Sequence, residues 1–600
     1  MRSAPALLGH TSPTELIMGG KTRTGKSRTD TRRVPQKRSK KRSSLRRADG
    51  RIITIALVIV VTWSLIGFKL FQIQVVQAAE FSEQALDQRL TTHEFAPYRG
   101  TIFDRSGHQM ALTIQGVTVW ANPQVVENPT LTAHLVAGSL GIDEDALAEK
   151  LASDKSFVFV KRQLEAEQVD GLRSLDLAGI YFEPEPKRVY PNGPLGAQAV
   201  GFVGIDGTGI EGLEYSYDEE LLGVAGYLID ERDPFGRPIP QGFQQSVPPI
   251  PGADLLTSMD MSIQFMAEQA CLETIERTDA LGCSMVVLDP KTGEILAMAV
   301  LPSFDPGDFN SYDESTWSNS TVRNLYEPGS TQKLVTVAAA IEEKAVAFDT
   351  EMVVPYAITV AGREIKDFGN FHEPLRLTVA DIVTRSSNVG TIMIGQKLGD
   401  AALRKYLHAF GYGQPTGVDF AGEATGVANV DPECGSCTAS AAIGYSVSVT
   451  PLQMASVYAT IANNGTWIQP HVVRYIDHGD GDPLAFAPES REIVSPDTAF
   501  IMRSMLQNVV DNGTGKGAAI DDYTVGGKTG TTLKYLPGGG YSEDHIASFI
   551  GMAPMSDPRL VIAVVVDRPI NGYTGGAAAA PAFGQVMEKA LHHLGVEPDA

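Results

Sequence analysis

The chain has 600 residues and a net charge of −22, long enough for three to four structural units. That charge is unevenly spread: residues 1–50 hold fourteen Lys/Arg against three Asp/Glu, a balance of +11, which leaves −33 on the remainder. Four cysteines in 600 residues exclude a fold built on disulfides, and the chain shows no internal repeat and no cofactor motif.

The basic leader includes Arg32-Arg33-Val34-Pro35-Gln36-Lys37-Arg38-Ser39-Lys40-Lys41-Arg42. It is polar, rich in Ser and Thr, and without periodicity, so residues 1–50 are expected to form a disordered cytoplasmic tail. Nucleic-acid binding is set aside because an apolar run follows at once. That run goes from Ile52 to Phe68, between Arg51 and Lys69, and Leu70 to Val76 extends it as an amphipathic helix. Residues 51–76 are thus predicted to span a bilayer. Positive charge on the N-terminal side keeps that side cytoplasmic, and the absence of a small-x-small cleavage site predicts an uncleaved anchor. Everything downstream is then extracytoplasmic. Residues 77–255 are mixed and punctuated by Gly and Pro, with acidic helices such as Glu144 to Leu151 and no coherent catalytic set. Pro248-Pro249-Ile250-Pro251-Gly252 reads as a linker, and residues 256–600 form the last unit.

That last unit carries three polar strings, and their order matters more than any one of them. In Tyr326-Glu327-Pro328-Gly329-Ser330-Thr331-Gln332-Lys333, a Pro-Gly turn precedes an Ala-rich run, Leu334 to Glu343, that reads as a buried helix. Ser330 opens that helix, and Lys333, three residues on, shares its face. Serine is a poor nucleophile until a base takes its proton, and lysine is a base only when neutral. At an ordinary pKa of about 10.4, only a few lysines in ten thousand are neutral at pH 7. Lys333 is therefore expected to be buried and crowded by a second cation, Lys528. Ser386-Ser387-Asn388 lies between apolar helical stretches and suits a loop entering a cleft. The Ser386 hydroxyl can relay a proton, and the Asn388 amide offers a donor and an acceptor to a substrate peptide bond. Thr524 to Thr532 contains Gly526-Gly527-Lys528-Thr529-Gly530-Thr531 and reads as a glycine-slimmed edge strand, with strands His545 to Ala553 and Leu560 to Asp567 after it. A peptide can add to such an edge. Lys528, Thr529 and Thr531, with Gly530 between, supply charge and hydroxyls for a terminal carboxylate, and the backbone N–H groups of Ser330 and Thr531 are the natural oxyanion-hole pair.

SxxK, SxN and KTGT in this order are the motif set of serine acyl-enzymes that act on penicillins and on peptide ends. The chain resembles a class B penicillin-binding protein over about residues 50 to 590. The resemblance also rests on Arg99-Gly100-Thr101-Ile102-Phe103-Asp104-Arg105-Ser106-Gly107, Arg188-Val189-Tyr190-Pro191, Gly209-Ile210-Glu211-Gly212-Leu213-Glu214 and Leu288-Asp289-Pro290-Lys291-Thr292-Gly293-Glu294. Ile443-Gly444-Tyr445, Val449-Thr450-Pro451 and Tyr573-Thr574-Gly575-Gly576 add to it. Asn388 in the middle motif resembles the division type, since the elongation type usually carries SxD. Two departures stand out: Gly444-Tyr445-Ser446 where the family often has Gly-Tyr-Gly, and Cys434-Gly435-Ser436-Cys437 ahead of it.

The resemblance implies an α/β (α+β) penicillin-binding transpeptidase fold, an antiparallel sheet covered by helices, above an elongated mixed α+β pedestal and one transmembrane helix. It implies a peptidoglycan D,D-transpeptidase without cofactor or metal, acting on lipid II-derived stem peptides ending in D-Ala-D-Ala and trapped by penicillins. Its partners would be the membrane, an FtsW-type glycosyltransferase and other divisome proteins. The alternatives are an elongation-type relative, and a D,D-carboxypeptidase or β-lactamase that resolves the ester with water. For Cys434 and Cys437 a small loop disulfide and free thiols both stay open, whereas Cys271 and Cys283 read as core residues.

Overall fold

The computed structural model describes residues 46–81, 89–233, 239–367, 373–430, 434–479, 481–535 and 539–600. The expected cytoplasmic tail thus lies almost wholly outside the described residues. The chain divides into two compact units, residues 1–88 and 89–600. In the first, helix α1 (Arg46–Phe71) continues as a π-helical turn, Gln72–Val76. Gly50–Val76 is long and apolar enough to cross a membrane. Its 27 residues correspond to roughly 40 Å of helix.

In the second unit, after a strand Leu90–Phe95, come strands β1 (Ile102–Phe103) and β2 (Gln109–Ala121), helices α2 (Pro129–Leu140) and α3 (Glu144–Leu151), strand β3 (Val158–Leu164), helix α4 (Ala166–Arg173) and strand β4 (Ile180–Val189). The side chain of Asp143 caps α3 by accepting from the Ala146 N–H, which starts the acidic helix at Glu144. Strand β2 pairs antiparallel with β1, β3 and β4. Val117, Val119 and Ala121 alternate along it and bury one face against α2–α4 through Val136, Leu151 and Leu172.

Strand β5 (Asp254–Thr257) lies parallel to β1 and antiparallel to a strand from far downstream, Val473–Asp477. One sheet therefore carries strands from both sides of residue 255. The Pro-rich segment before β5 is not a free linker. Ile250 exchanges backbone hydrogen bonds with Val224, Gly252 donates to the Tyr98 carbonyl at 3.0 Å, and Ala253 to the Glu220 carbonyl at 2.8 Å. Proline lacks only its own N–H, so its neighbours remain free to bond.

The second sheet is five-stranded and antiparallel throughout. It is built from β6 (Gly282–Leu288), β7 (Ile295–Leu301) and three C-terminal strands, Leu560–Asp567, Tyr541–Ala553 and Gly526–Tyr535, in the spatial order β7, β6, Leu560–Asp567, Tyr541–Ala553, Gly526–Tyr535. Both faces are covered. Met285 and Val287 of β6 face one core with Ile562, Val564 and Phe583, while Val286 and Leu288 face the other with Val561 and Ala563. This two-sided burial is why Leu560 to Val566 reads as an unbroken apolar run rather than an alternating one.

All four cysteines are disulfide-bonded, as Cys271–Cys283 and Cys434–Cys437. Cys271 and Cys283 are core residues, and they also tether helix Met261–Thr278 to β6. Of the two states left open for Cys434 and Cys437 the loop disulfide is the one formed, whereas the bond between the core residues Cys271 and Cys283 was not expected.

Candidate active site

The nucleophile motif opens on a tight turn. Gly329–Gln332 form a 3-10 turn, and the α-helix proper, α5 (Lys333–Glu342), starts only at Lys333. Ser330 thus lies one turn ahead of the helix it was expected to open. Every residue of α5 through Ile341 is buried, the polar Lys333 and Thr336 among them. Gly329 has φ +54°, and a Cβ there would lie 2.4 Å from the Thr532 methyl, so only glycine lets the turn lie against the KTGT strand.

The middle motif is a junction between helices. Helix α6 (Val379–Arg385) ends with Ser386 in the left-handed region at φ +59°, and α7 (Asn388–Leu398) follows. The Ser387 hydroxyl caps α7 by accepting from the Gly390 N–H at 2.8 Å, and it donates to Asp367 Oδ2 at 2.5 Å. The Val389 N–H donates to Asp367 Oδ1 at 2.9 Å. Asp367 therefore holds the junction from beneath.

Onto this junction converge both lysines. Lys333 Nζ donates to the Ser386 carbonyl at 2.6 Å and to Asn388 Oδ1 at 2.7 Å, and lies 3.3 Å from Ser386 Oγ. Lys528 Nζ lies 2.8 Å from the same Ser386 Oγ. Both lysines are buried, each 1% exposed. Burial first, then the nearby Lys528 charge, pushes Lys333 well below the ordinary ammonium range, with Asp367 pulling the other way. Burial alone brings Lys528 down to about 7. No carboxylate forms an ion pair with either lysine among the described residues.

Lys528, Thr529, Gly530 and Thr531 lie on strand β8 (Gly526–Tyr535), the last strand in its sheet, paired on one side with β9 (Tyr541–Ala553). The glycines here serve the protein's own packing. A Cβ on Gly527 would lie 2.5 Å from the Phe549 ring, and one on Gly530 would meet Ser548 Oγ at 2.4 Å and the Pro328 carbonyl at 2.8 Å. The Ser330 turn is laid directly on Gly530–Thr532, with Thr532 Oγ1 donating to the Glu327 carbonyl at 3.1 Å. Thr529 Oγ1 lies 2.8 Å from Thr514 Oγ1, and Thr531 Oγ1 accepts from the Gly575 N–H at 3.0 Å.

The residues singled out from the sequence therefore lie close together, and Asn388 is held within the protein at both ends of its amide. Its oxygen is taken by Lys333, and its Nδ2 donates to the Lys366 carbonyl at 3.3 Å. The oxygen thus orients Lys333, while the half-exposed Nδ2 keeps a second N–H for a substrate. Sequence reasoning missed Asp367 and Thr514, which sit in loops with no motif of their own. It quoted Glu327 without a role, although a carboxylate three residues before a nucleophile is itself a signal. Chemically, the arrangement offers a hydroxyl at the head of a buried helix, an amine whose pKa burial and a second cation push down, a hydroxyl shared between two amines, and a lysine beside an open strand edge.

Two family models match the chain: the penicillin-binding protein transpeptidase domain over residues 283–588, and the penicillin-binding protein dimerisation domain over residues 94–257. Among curated proteins, Stage V sporulation protein D of Bacillus subtilis is 34% identical over 562 residues, covering 91% of this chain and 86% of its own. The peptidoglycan D,D-transpeptidase FtsI of Escherichia coli is 31% identical over 540 residues, covering 88% and 89%. Among solved structures, penicillin-binding protein 3 of Mycobacterium tuberculosis in complex with aztreonam matches with a TM-score of 0.67 at 28% identity, covering 85% of this chain and 98% of that one. By its two domains, its fold and its relatives, the chain belongs to the class B penicillin-binding proteins.

Proposed function

We propose that this protein is a serine-type peptidoglycan D,D-transpeptidase and that Ser330 forms its acyl-enzyme. One observation carries the reading: two buried lysines, neither with a carboxylate ion-pair partner among the described residues, meet on one serine hydroxyl, Ser386, beside the turn that holds Ser330. Lys333, its pKa pushed down by burial and by Lys528, takes the Ser330 proton as the hydroxyl adds to the penultimate carbonyl of a stem peptide ending in D-Ala-D-Ala. The oxyanion rests on the Ser330 and Thr531 N–H groups. Lys528, Thr529 and Thr531 hold the terminal carboxylate, and Ser386 passes a proton to the departing D-Ala. The amine of a second stem peptide then attacks the ester, giving a cross-link and restoring Ser330. A penicillin presents the same carboxylate and a reactive amide, and leaves Ser330 acylated.

The membrane-crossing helix and the family make this a single-pass membrane protein with an extracytoplasmic catalytic domain. We place it at the septum, with an FtsW-type glycosyltransferase and other divisome proteins as partners, on the strength of Asn388 in the middle motif. A fluorescent fusion tests that placement: mid-cell signal supports it, and lateral-wall signal favours the elongation role. Labelling with a fluorescent penicillin tests the chemistry. Wild-type protein is expected to label stoichiometrically, and a Ser330→Ala variant not at all; labelled Ser330→Ala removes the assignment. Rapid turnover of penicillin by the wild type would revive the hydrolase alternative.

A further inference from the structure

A second unpaired charge lies next to the cleft. Glu327 is 8% exposed and forms no ion pair among the described residues. Burying a carboxylate without a cation costs several kcal/mol in general, so its partners are informative. One is the Ser446 N–H, which donates to Oε1 at 2.9 Å. Another is the Tyr541 hydroxyl, 2.9 Å from Oε2 and 3.1 Å from Oε1. The Glu327 backbone carbonyl accepts from Thr532 Oγ1. A single residue thus joins the turn before Ser330, the segment Gly444-Tyr445-Ser446, and both strands of the β8–β9 pair.

The segment it grips is strained. Ser446 has φ +62°, the left-handed region that a side chain disfavours by about 1–2 kcal/mol. Strain of this kind persists only where neighbours over-determine it. Here they do so on three levels. Tyr326 and Val449 exchange backbone hydrogen bonds, the Gly329 N–H donates to the Gly444 carbonyl at 3.0 Å, and the Glu327 carboxylate takes the Ser446 N–H between them. A glycine at 446 would need no such grip, so the departure Gly444-Tyr445-Ser446 and the buried carboxylate explain each other.

We propose that Glu327 is a positioning residue for acylation of Ser330, its ionised carboxylate binding Ser446 and Tyr541 while its backbone carbonyl holds Thr532, so that the Ser330 turn, the Ser446 segment and the β8–β9 pair stay in reacting register. The inference rests on the acyl-enzyme reading above. The titratable and charged groups that act on Glu327 are Tyr541, Tyr445 and Arg363. Burial raises the Glu327 carboxyl above its ordinary range, against the Ser446 N–H, the Tyr541 hydroxyl and Arg363. A raised carboxyl is ionised only above its shifted pKa, so the clasp loosens as pH falls through that value.

The test is the second-order rate of fluorescent-penicillin acylation against pH, with melting temperature, for wild type, Glu327→Gln, Tyr541→Phe and the double variant. Glutamine keeps an acceptor for the Ser446 N–H but removes the charge. Glu327→Gln is expected to melt like wild type and to acylate about tenfold more slowly at neutral pH. Its acid limb should be shallower than the wild-type limb, because only Lys333 still titrates there. Tyr541→Phe should lose less, and the double variant no more than Glu327→Gln alone. A Glu327→Gln rate and pH profile equal to wild type overturns the inference, as does strict additivity in the double variant. If Glu327→Gln does not fold, Tyr541→Phe decides alone: wild-type kinetics overturn the inference and a slower rate supports it. Wild type that never labels overturns the acyl-enzyme reading itself, not the clasp in particular.

Discussion

The same unit buries charge in two opposite ways. In the pedestal, Arg99 Nε lies 2.6 Å and Arg188 Nε 2.7 Å from the two oxygens of Glu214, whose side chain is fully buried, and Arg99 Nη1 lies 2.7 Å from Asp218. Each charge there has an opposite partner. In the cleft, Lys333 and Lys528 are equally buried, yet they face each other across Ser386 and meet no carboxylate in ion-pair contact. Paired burial locks geometry. Unpaired burial costs stability and is kept only where a shifted proton is useful. Both sets of residues stood out in the sequence, but only their pairing separates a joint from a catalyst.

The sharpest way to break this contrast is to remove one member of each set. Lys333→Met is expected to slow penicillin acylation by about 10²–10⁴-fold, the usual worth of a general base, while leaving the unfolding free energy little changed. Glu214→Gln should do the reverse. It strands two buried guanidinium groups and is expected to lower stability by about 3–5 kcal/mol in urea unfolding, while the protein that remains folded acylates at the wild-type rate. Loss of stability in the first variant or of rate in the second would erase the distinction.

The pH profile sharpens it further. Lys333 acts as base above its lowered pKa, so acylation should rise through that value from the acid side. Lys528 must stay protonated to meet a carboxylate, and it loses its proton through about 7. The second-order rate is therefore expected to be bell-shaped, with an alkaline limb near 7 that reports the free enzyme. The first-order rate within the complex should hold to higher pH, because the bound carboxylate favours the charged amine. An alkaline limb at the same pH in both would show that Lys528 is not the group that meets the anion.

How much of this was legible beforehand differs between elements. The anchor helix, the buried helix after Ser330 and the C-terminal strands follow from local pattern, since apolar periodicity and glycine placement are local. The shared sheet was not legible, because β5 pairs with a strand more than 200 residues later and pairing over such a distance leaves no trace in either segment. The cysteine pairs were open for the same reason: a pairing is a fact of space. Within the site, Ser330, Lys333, Ser386 and Lys528 carry their chemistry in their spacing. Asp367 and Thr514 act only through what folding brings beside them, and the contact of Asn388 with Lys333 was not legible because an amide's partner cannot be inferred from its neighbours in sequence.

Thr514 gives the smallest and most selective expectation. Its hydroxyl meets Thr529 Oγ1 at 2.8 Å, and Thr529 in turn neighbours Lys528 Nζ. Substituting Thr514→Val keeps the shape and removes one hydrogen bond from the hydroxyl expected to hold the carboxylate. A neutral hydrogen bond is worth about 1 kcal/mol net, or roughly fivefold in binding. The apparent affinity for a carboxylate-bearing penicillin should fall by about that factor, with the maximal acylation rate unchanged, because neither Ser330 nor Lys333 is touched. The methyl ester of the same penicillin should show no difference between the two proteins. An equal loss for acid and ester would mean that Thr514 supports the strand rather than the anion, and would move it from the cleft's chemistry to its scaffold.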